Sequence, residues 1–148
     1  MCFEILEEPE LAPEDTGGRE TILIVDDDEA MTEVLSRRLN QQGFETVTAD
    51  SGVAGLAIAR SQQPALIVLD LRLPDMGGFA VCQQLVDSPG TCHIPVIILS
   101  GMERPDIIRR SRAAGCDYFV RKPYDPNVLL VLIRQALRER NAWAGPEM

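Results

Sequence analysis

The sequence lacks any long hydrophobic run and any signal for export. No apolar stretch approaches the ~18 residues that a membrane-spanning helix needs. The N-terminus carries Glu4, Glu7, Glu8 and Glu10, where a signal peptide has basic residues. We therefore expect a cytoplasmic chain without a membrane segment.

Paired cysteines and basic runs are also missing. The four cysteines (Cys2, Cys82, Cys92 and Cys116) have neither CxxC nor zinc-finger spacing, which predicts reduced thiols, some of them in the core.

The net charge is −9, and only one of the 14 basic residues is a lysine, Lys122. Since neither the charge nor any basic run offers a footprint for a phosphate backbone, we expect no direct binding of nucleic acid.

Acidic residues are concentrated at the N-terminus. Residues 1–20 contain seven of them against one arginine. Together with two prolines and a glycine pair, this composition indicates a flexible acidic leader over residues 1–19. The total length suits a single domain, predicted over residues 20–140, followed by a C-terminal tail over 141–148. That tail is too short for an output domain, so the sequence leaves open whether the chain acts by docking alone or belongs to a longer protein.

Short apolar runs alternate with segments of helical periodicity between residues 21 and 140. Three apolar runs are typical of buried strands, residues 21–25, 65–70 and 95–99, and two short strands are predicted over residues 45–49 and 118–120. Helices are expected after them, over residues 28–42, 51–63, about 79–86, roughly 105–114 and about 126–140. Five strands alternating with five helices predict an α/β fold with a parallel sheet covered on both faces.

Polar side chains stand at the carboxyl ends of four of the predicted strands. Asp26 and Asp27 follow the first strand, and Asp70 ends the third. Ser100 follows the fourth strand, and Lys122 follows the fifth. Taken singly, each has an ordinary explanation as a helix cap, a turn residue or a solvated charge. Because parallel strands deliver all of them to one edge of the sheet, where such folds bind ligands, we expect a functional site there.

Clustered carboxylates at that edge require positive charge. Two of them ~4 Å apart repel by about 4 kcal/mol at an effective dielectric constant of 20. Lys122 offsets part of this repulsion, and Mg²⁺ would offset more, because it prefers oxygen ligands with room for water. A site with a metal, a free carboxylate, a hydroxyl and an ammonium is suited to receiving a phosphoryl group: the carboxylate attacks and the other groups hold the phosphoryl oxygens.

Four motifs, in this order, carry a family resemblance over roughly residues 20–140. They are ILIVDDD (22–28), LIVLDLRLPDMGG (66–78), VIILSG (96–101) and AGCDYFVRKPY (114–124). With them the chain resembles the receiver domain of bacterial two-component response regulators, the CheY-like family. The resemblance implies a flavodoxin-like (βα)5 three-layer sandwich with a five-stranded parallel sheet of order 2-1-3-4-5.

The resemblance also implies a role for each site residue. Asp70 would be the phosphoacceptor, phosphorylated by a sensor histidine kinase or a histidine phosphotransfer protein. Ser100 would hydrogen-bond the phosphoryl group, and Lys122 would pair with it. The implied Mg²⁺ ligands come from four residues: Asp26, Asp27, Asp70 and the backbone carbonyl of Arg72. The chain would then be no enzyme beyond catalysing its own phosphorylation and dephosphorylation.

A conformational switch is implied as well. Phe119 occupies the aromatic switch position, where the ring turns inward when Ser100 moves towards the phosphate; a plain core aromatic is nearly as well supported. Lys122-Pro123 resembles the family's cis peptide. Gly77 stands where the family often has Asp or Asn, which predicts an altered cap for the third helix.

Phosphorylation at Asp70 would reshape the surface of the fourth helix, fifth strand and fifth helix. Four arginines give this surface a basic character: Arg109, Arg110, Arg112 and Arg121. A solvated face explains them better than a dedicated dimer interface, although a phosphorylation-dependent homodimer stays open. The downstream partner is not identified by the sequence.

Two other functions compete with the phosphoacceptor. One is a phosphate-independent, receiver-like protein-interaction module, in which Mg²⁺ with a phosphoryl-fluoride mimic would change nothing. The other is a magnesium-dependent phosphohydrolase of the haloacid-dehalogenase type. That class uses a second carboxylate two residues after the first, whereas Asp70 is followed at that distance by Arg72, which argues against it.

Overall fold

The computed structural model describes residues 19–102 and 104–144. Outside the described residues lie residues 1–18 of the predicted leader, which include Cys2, and residues 145–148 of the predicted tail. Strands and helices alternate strictly along the chain. The strands are β1 (Thr21–Val25), β2 (Glu45–Ala49), β3 (Leu66–Asp70), β4 (Val96–Ser100) and β5 (Tyr118–Arg121). The helices are α1 (Glu29–Gln41), α2 (Gly52–Gln62), α3 (Gly78–Asp87), α4 (Ile107–Ala113) and α5 (Pro126–Ala144).

The five strands form one parallel sheet of order β2-β1-β3-β4-β5, which confirms the predicted flavodoxin-like fold. In the register of its central strands, Val25 lies opposite Leu69, and Asp70 lies opposite Leu99. Every residue of β3 and β4 is buried. Such strands carry continuous apolar runs because helices cover both faces of the sheet.

Alternate residues of each strand point to opposite faces of the sheet and build two separate cores. Helices α2, α3 and α4 cover one face, and α1 and α5 cover the other. The first core contains Leu23, Val25, Ile67, Leu69, Ile98 and their helical neighbours. The second contains Ile22, Ile24, Leu66, Val68, Leu99 and theirs. The two cores pack against the sheet from both sides and so determine where the strand ends lie.

Side chains cap two of the helices as the sequence predicted. Asp28 accepts a hydrogen bond from the Met31 N–H at the start of α1, and Ser51 accepts one from the Ala54 N–H at the start of α2. Helix α3 begins after Gly77 without a side-chain cap, in agreement with the altered cap expected there.

Element boundaries differ slightly from those predicted. Helix α4 begins at Ile107 instead of 105, because residues 105 and 106 form a turn. Helix α5 continues to Ala144 instead of ending at 140, since residues 141–144 contain no proline or glycine. Ser100 is the last residue of β4 and does not lie beyond it.

The described residues also bear on two expectations drawn from composition. Cys82, Cys92 and Cys116 are unpaired, and Cys82 is buried, in agreement with reduced thiols that partly belong to the core. Among the described residues, no helix combines the length and the hydrophobicity that crossing a bilayer requires.

Candidate functional site

Three polar side chains are buried where the strands end. Asp26, Asp70 and Ser100 are exposed by only 6%, 5% and 1%. Asp70 and Ser100 are the last residues of β3 and β4, and Asp26 directly follows β1. These three strands are neighbours in the sheet, so their termini converge. Burying a polar group costs free energy unless the group has a hydrogen-bonding or charged partner. The partners of these three side chains therefore indicate how the site is built.

Lys122 supplies the pairing. Its Nζ lies 3.2 Å from Asp26 Oδ2 and 3.1 Å from Asp70 Oδ1. The backbone holds the lysine in place through the Lys122 N–H, which donates to the Ser100 carbonyl at 2.8 Å. Burial alone would lower the pKa of the Lys122 ammonium, but the charges of Asp70 and Asp26 outweigh it and raise this pKa above its ordinary value. The lysine therefore stays charged between the two carboxylates.

One ammonium does not neutralise the cluster. Burial and the charge of Asp26 raise the pKa of the Asp70 carboxyl above its usual value, although Lys122 and the hydrogen bond from the Arg72 N–H lower it in part. That N–H donates to Asp70 Oδ2 at 3.2 Å. The site thus retains unfavourable negative charge at the carboxylate that projects from β3.

The acidic residues form a cluster that fits a hard cation. Asp26, Asp27 and Asp70 each offer a carboxylate oxygen, and these oxygens lie within 4.8 Å of one another. Asp26 is held by the Asp28 N–H, which donates to its Oδ1 at 3.0 Å, whereas Asp27 is exposed. Oxygen donors with one side open to water match the preference of Mg²⁺, and a divalent charge would neutralise the excess found here.

Ser100 faces the loop that leads into α4. Its Oγ accepts a hydrogen bond from the Met102 N–H at 3.0 Å. A serine hydroxyl has one O–H and two lone pairs, so its proton is left for another acceptor. Arg121 of β5 approaches the same loop, with its Nη1 3.4 Å from the Met102 carbonyl oxygen.

Phe119 lies farther from the acidic edge. It pairs in register with Ile98, two positions before the pair formed by Ser100 and Arg121. Its ring is half-buried against the core beneath α4 and lines a cavity of about 230 Å³ with Ile108 and other residues. This placement is compatible with both interpretations of Phe119, an aromatic switch residue and an ordinary core aromatic.

A wide polar groove adjoins the cluster. It has a volume of about 680 Å³ and is lined by Asp26 together with residues of α1, the end of β2 and α2, including Glu29, Thr32, Arg37 and Asp50. Among the three aspartates, Asp26 lines this groove, so the groove meets the site at Asp26.

One polar contact beside the site escaped the sequence analysis. Asp75, in the loop after β3, accepts hydrogen bonds from the N–H groups of Gly52 and Val53 at the start of α2. The sequence shows Asp75 only as an acidic residue after a proline in a glycine-containing loop. Its partners could not be predicted, because Gly52 and Val53 lie more than twenty positions away in the chain.

Comparisons with known proteins agree with this geometry. The sequence matches the family model for the response regulator receiver domain over residues 22–134. It is 38% identical over 117 residues to the DNA-binding dual master transcriptional regulator RpaA of Synechocystis, covering 79% of this chain and 48% of that one. It is 38% identical over 118 residues to the response regulator PleD of Caulobacter vibrioides, covering 79% and 26%.

The fold agrees with a solved structure as well. A CheY-like response regulator receiver domain protein from Methanospirillum hungatei superposes with a TM-score of 0.80 at 29% identity, covering 84% of this chain and 98% of that one. In contrast, the chain spans about half the length of the Synechocystis relative and about a quarter of the Caulobacter relative.

Proposed function

The chain belongs to the response regulator receiver domain family of two-component systems, and from this premise we propose that it is a phosphoacceptor switch that works through Asp70. The observation that carries the proposal is the ammonium of Lys122, placed 3.1 Å from Asp70 and 3.2 Å from Asp26 within a three-carboxylate cluster. A histidine kinase is the partner of receiver domains in such systems. We propose that this kinase, or a histidine phosphotransfer protein, supplies the phosphoryl group.

The proposed reaction is a single displacement at phosphorus. An Asp70 carboxylate oxygen attacks the phosphorus of a phosphohistidine, a P–O bond forms as the P–N bond breaks, and the electron pair leaves with the imidazole. Lys122 holds a phosphoryl oxygen by charge, and the Ser100 O–H, whose oxygen already accepts from Met102, donates to another. The groove along α1 leaves room for the donor.

Mg²⁺ is the cofactor in this proposal. Asp26, Asp27, Asp70 and the backbone carbonyl of Arg72 would hold it. When bound, it supplies positive charge that offsets the charge on the carboxylate and phosphoryl oxygens. The donor set of carboxylate oxygens and the uncompensated charge at Asp70 support this choice of ion.

The output surface in this proposal comprises α4, β5 and α5. Ser100 and Arg121 both contact the loop after β4, which leads directly into α4. A shift of Ser100 towards a phosphoryl group would release the Met102 N–H and thereby alter the start of α4. Phe119 would follow by packing alone, since it has no hydroxyl. A phosphorylation-dependent homodimer through this surface is one form that the output could take.

Partners beyond the kinase also belong to the proposal. The Synechocystis relative is described as DNA-binding, and the present chain covers only about half of it. Our expectation of no direct contact with nucleic acid therefore has no support from the relatives and stays a prediction from the charge of this sequence. The cytoplasmic location stays a prediction in the same way.

The proposal is tested by intact mass after incubation with Mg²⁺ and acetyl phosphate. We expect the mass to rise by one phosphoryl group, and we expect no rise with a chelator or in the Asp70→Asn variant. Labelling retained in Asp70→Asn would refute the assignment of the phosphoacceptor. If the wild-type chain stays unlabelled, and Mg²⁺ with beryllofluoride leaves its spectrum and oligomeric state unchanged, the phosphate-independent module is the better interpretation.

A further inference from the structure

Asp75 connects the loop over residues 71–77 to a different element of the fold. Its Oδ1 accepts the N–H of Gly52 at 2.8 Å, and its Oδ2 accepts the N–H of Val53 at 2.9 Å. These N–H groups belong to the first turn of α2, where a helix has no acceptor of its own to offer. They hold the pKa of the Asp75 carboxyl below its usual value, so the side chain is ionised at neutral pH.

A tight apolar contact reinforces the connection. A Cβ at Gly52 would collide with the side chain of Met76, lying 2.8 Å from its Sδ. The absence of a side chain at this position therefore lets the loop lie directly on the first turn of α2. Asp75 and Met76 are consecutive, so polar and apolar contacts act at the same point.

Helix α2 in turn rests on the end of β1. A Cβ at Gly55 would lie 2.9 Å from Val25 Cγ2, and Val25 immediately precedes Asp26. The Asp26 N–H also donates to the carbonyl of Ala49, shortly before α2 begins. One continuous set of contacts thus runs from the loop after Asp70, through α2, to the aspartates after β1.

We infer that Asp75 is a positioning residue for the metal site: it clamps the loop that carries Arg72 to α2 and so keeps the acidic groups of β1 and β3 at a fixed separation. The inference rests on the proposed function, because it takes Mg²⁺ as the ion. Asp75 is not among the residues that would hold the ion. Its contribution is to keep the Arg72 carbonyl and the Asp70 carboxylate from moving away from Asp26 and Asp27.

The test compares two caps of the same helix. Ser51 and Asp75 both accept N–H groups of the first turn of α2, but only Asp75 belongs to the loop after β3. Ser51→Ala is therefore the matched control for Asp75→Asn. In Asp75→Asn, the side-chain NH2 replaces one carboxylate oxygen, so one of the two N–H groups of α2 faces a donor and loses its hydrogen bond. Asp75→Glu keeps two carboxylate oxygens and serves as the conservative variant.

Mg²⁺ binding to the full chain is measured by titration calorimetry in the absence of any phosphodonor. We expect the dissociation constant to rise about fivefold in Asp75→Asn, the size of one net hydrogen bond, and to stay at the wild-type value in Ser51→Ala. Asp75→Glu should recover most of the affinity. In the metal-free chain, amide hydrogen exchange over residues 71–77 should be faster in Asp75→Asn and unchanged in Ser51→Ala.

Equal Mg²⁺ affinity in wild type and Asp75→Asn would overturn this inference while leaving the proposed function standing. An equal loss of affinity in Ser51→Ala would also overturn it, because the effect would then arise from fraying of α2. If the wild-type chain binds no Mg²⁺ at all, the proposed function fails and the inference fails with it.

Discussion

Replacing Lys122 with methionine removes the charge between two buried carboxylates while keeping a side chain of similar length. Each N···O distance, 3.1 Å to Asp70 and 3.2 Å to Asp26, corresponds to a gross attraction of about 5 kcal/mol at an effective dielectric constant of 20. Most of this is offset by the cost of desolvating the lysine. Removing one partner of a buried pair typically costs about 3–5 kcal/mol, because the remaining charges stay buried and unpaired.

We therefore expect the free energy of unfolding of Lys122→Met to fall by about 3 kcal/mol in a chelator, the lower end of that range, since the lysine side chain is 19% exposed. Mg²⁺ should restore most of the loss, because it neutralises the same carboxylates. The assay is urea unfolding followed by far-ultraviolet circular dichroism, with and without Mg²⁺. Arg109→Met, which removes an exposed charge from α4, is the control and should change stability by less than about 0.5 kcal/mol.

An unchanged stability of Lys122→Met in chelator would refute this reasoning. It would mean that the carboxylates are not held together by the lysine in solution. A loss of the same size with and without Mg²⁺ would instead show that the ion does not neutralise the carboxylates that Lys122 contacts. The electrostatic argument for the ion would then fail.

Two further predictions concern the loop after β3 and the entry into β5. Gly78→Ala should cost about 1–3 kcal/mol in urea unfolding, because its Cβ would lie 2.6 Å from the Asp70 carbonyl oxygen; Gly77→Ala, with open space, is the control, and equal losses would contradict the steric cause. Burial raises the pKa of Asp117, although the Val96 N–H bound to it lowers this pKa in part. The protonated form of Asp117 is therefore the one that the fold favours, so the fold is more stable at low pH, and this stability is lost as the pH rises through the folded pKa of Asp117. Asp117→Asn should gain less than about 1 kcal/mol at pH 7 and nothing in acid; a loss at pH 7 would contradict this.

Local sequence patterns predicted the element types well because each depends on a short repeat. Continuous apolar runs such as residues 21–25 indicated strands buried on both faces, and Asp28 and Ser51 predicted helix starts through their own side chains. Boundaries were less accurate. Helix α4 is shorter than predicted because Pro105 and Asp106 form a turn before it, and proline and aspartate are common both in turns and at the start of a helix.

The site was predictable in its members but not in its internal contacts. Asp26, Asp70 and Lys122 could be grouped because strand ends of a parallel sheet meet at one edge. That the Ser100 Oγ binds the Met102 N–H could not be predicted, since a serine at a strand end has several acceptors and donors within reach. Arg110 is exposed, as expected for a solvated face, but the position of its guanidinium carbon 4.6 Å from the centre of the Phe79 ring could not be predicted.

The sequence by itself determined the alternation of strands and helices, the acidic and basic groups at the strand ends, and, through the family resemblance, the strand order. Only the tertiary structure decided which of these groups are buried and what they bind. The Lys122–Asp26 pair and the contact between Asp75 and Gly52 at the start of α2 join residues 96 and 23 positions apart in the chain. Hydrophobic periodicity is a local property, whereas such contacts depend on how two cores fix the separation of strands and helices.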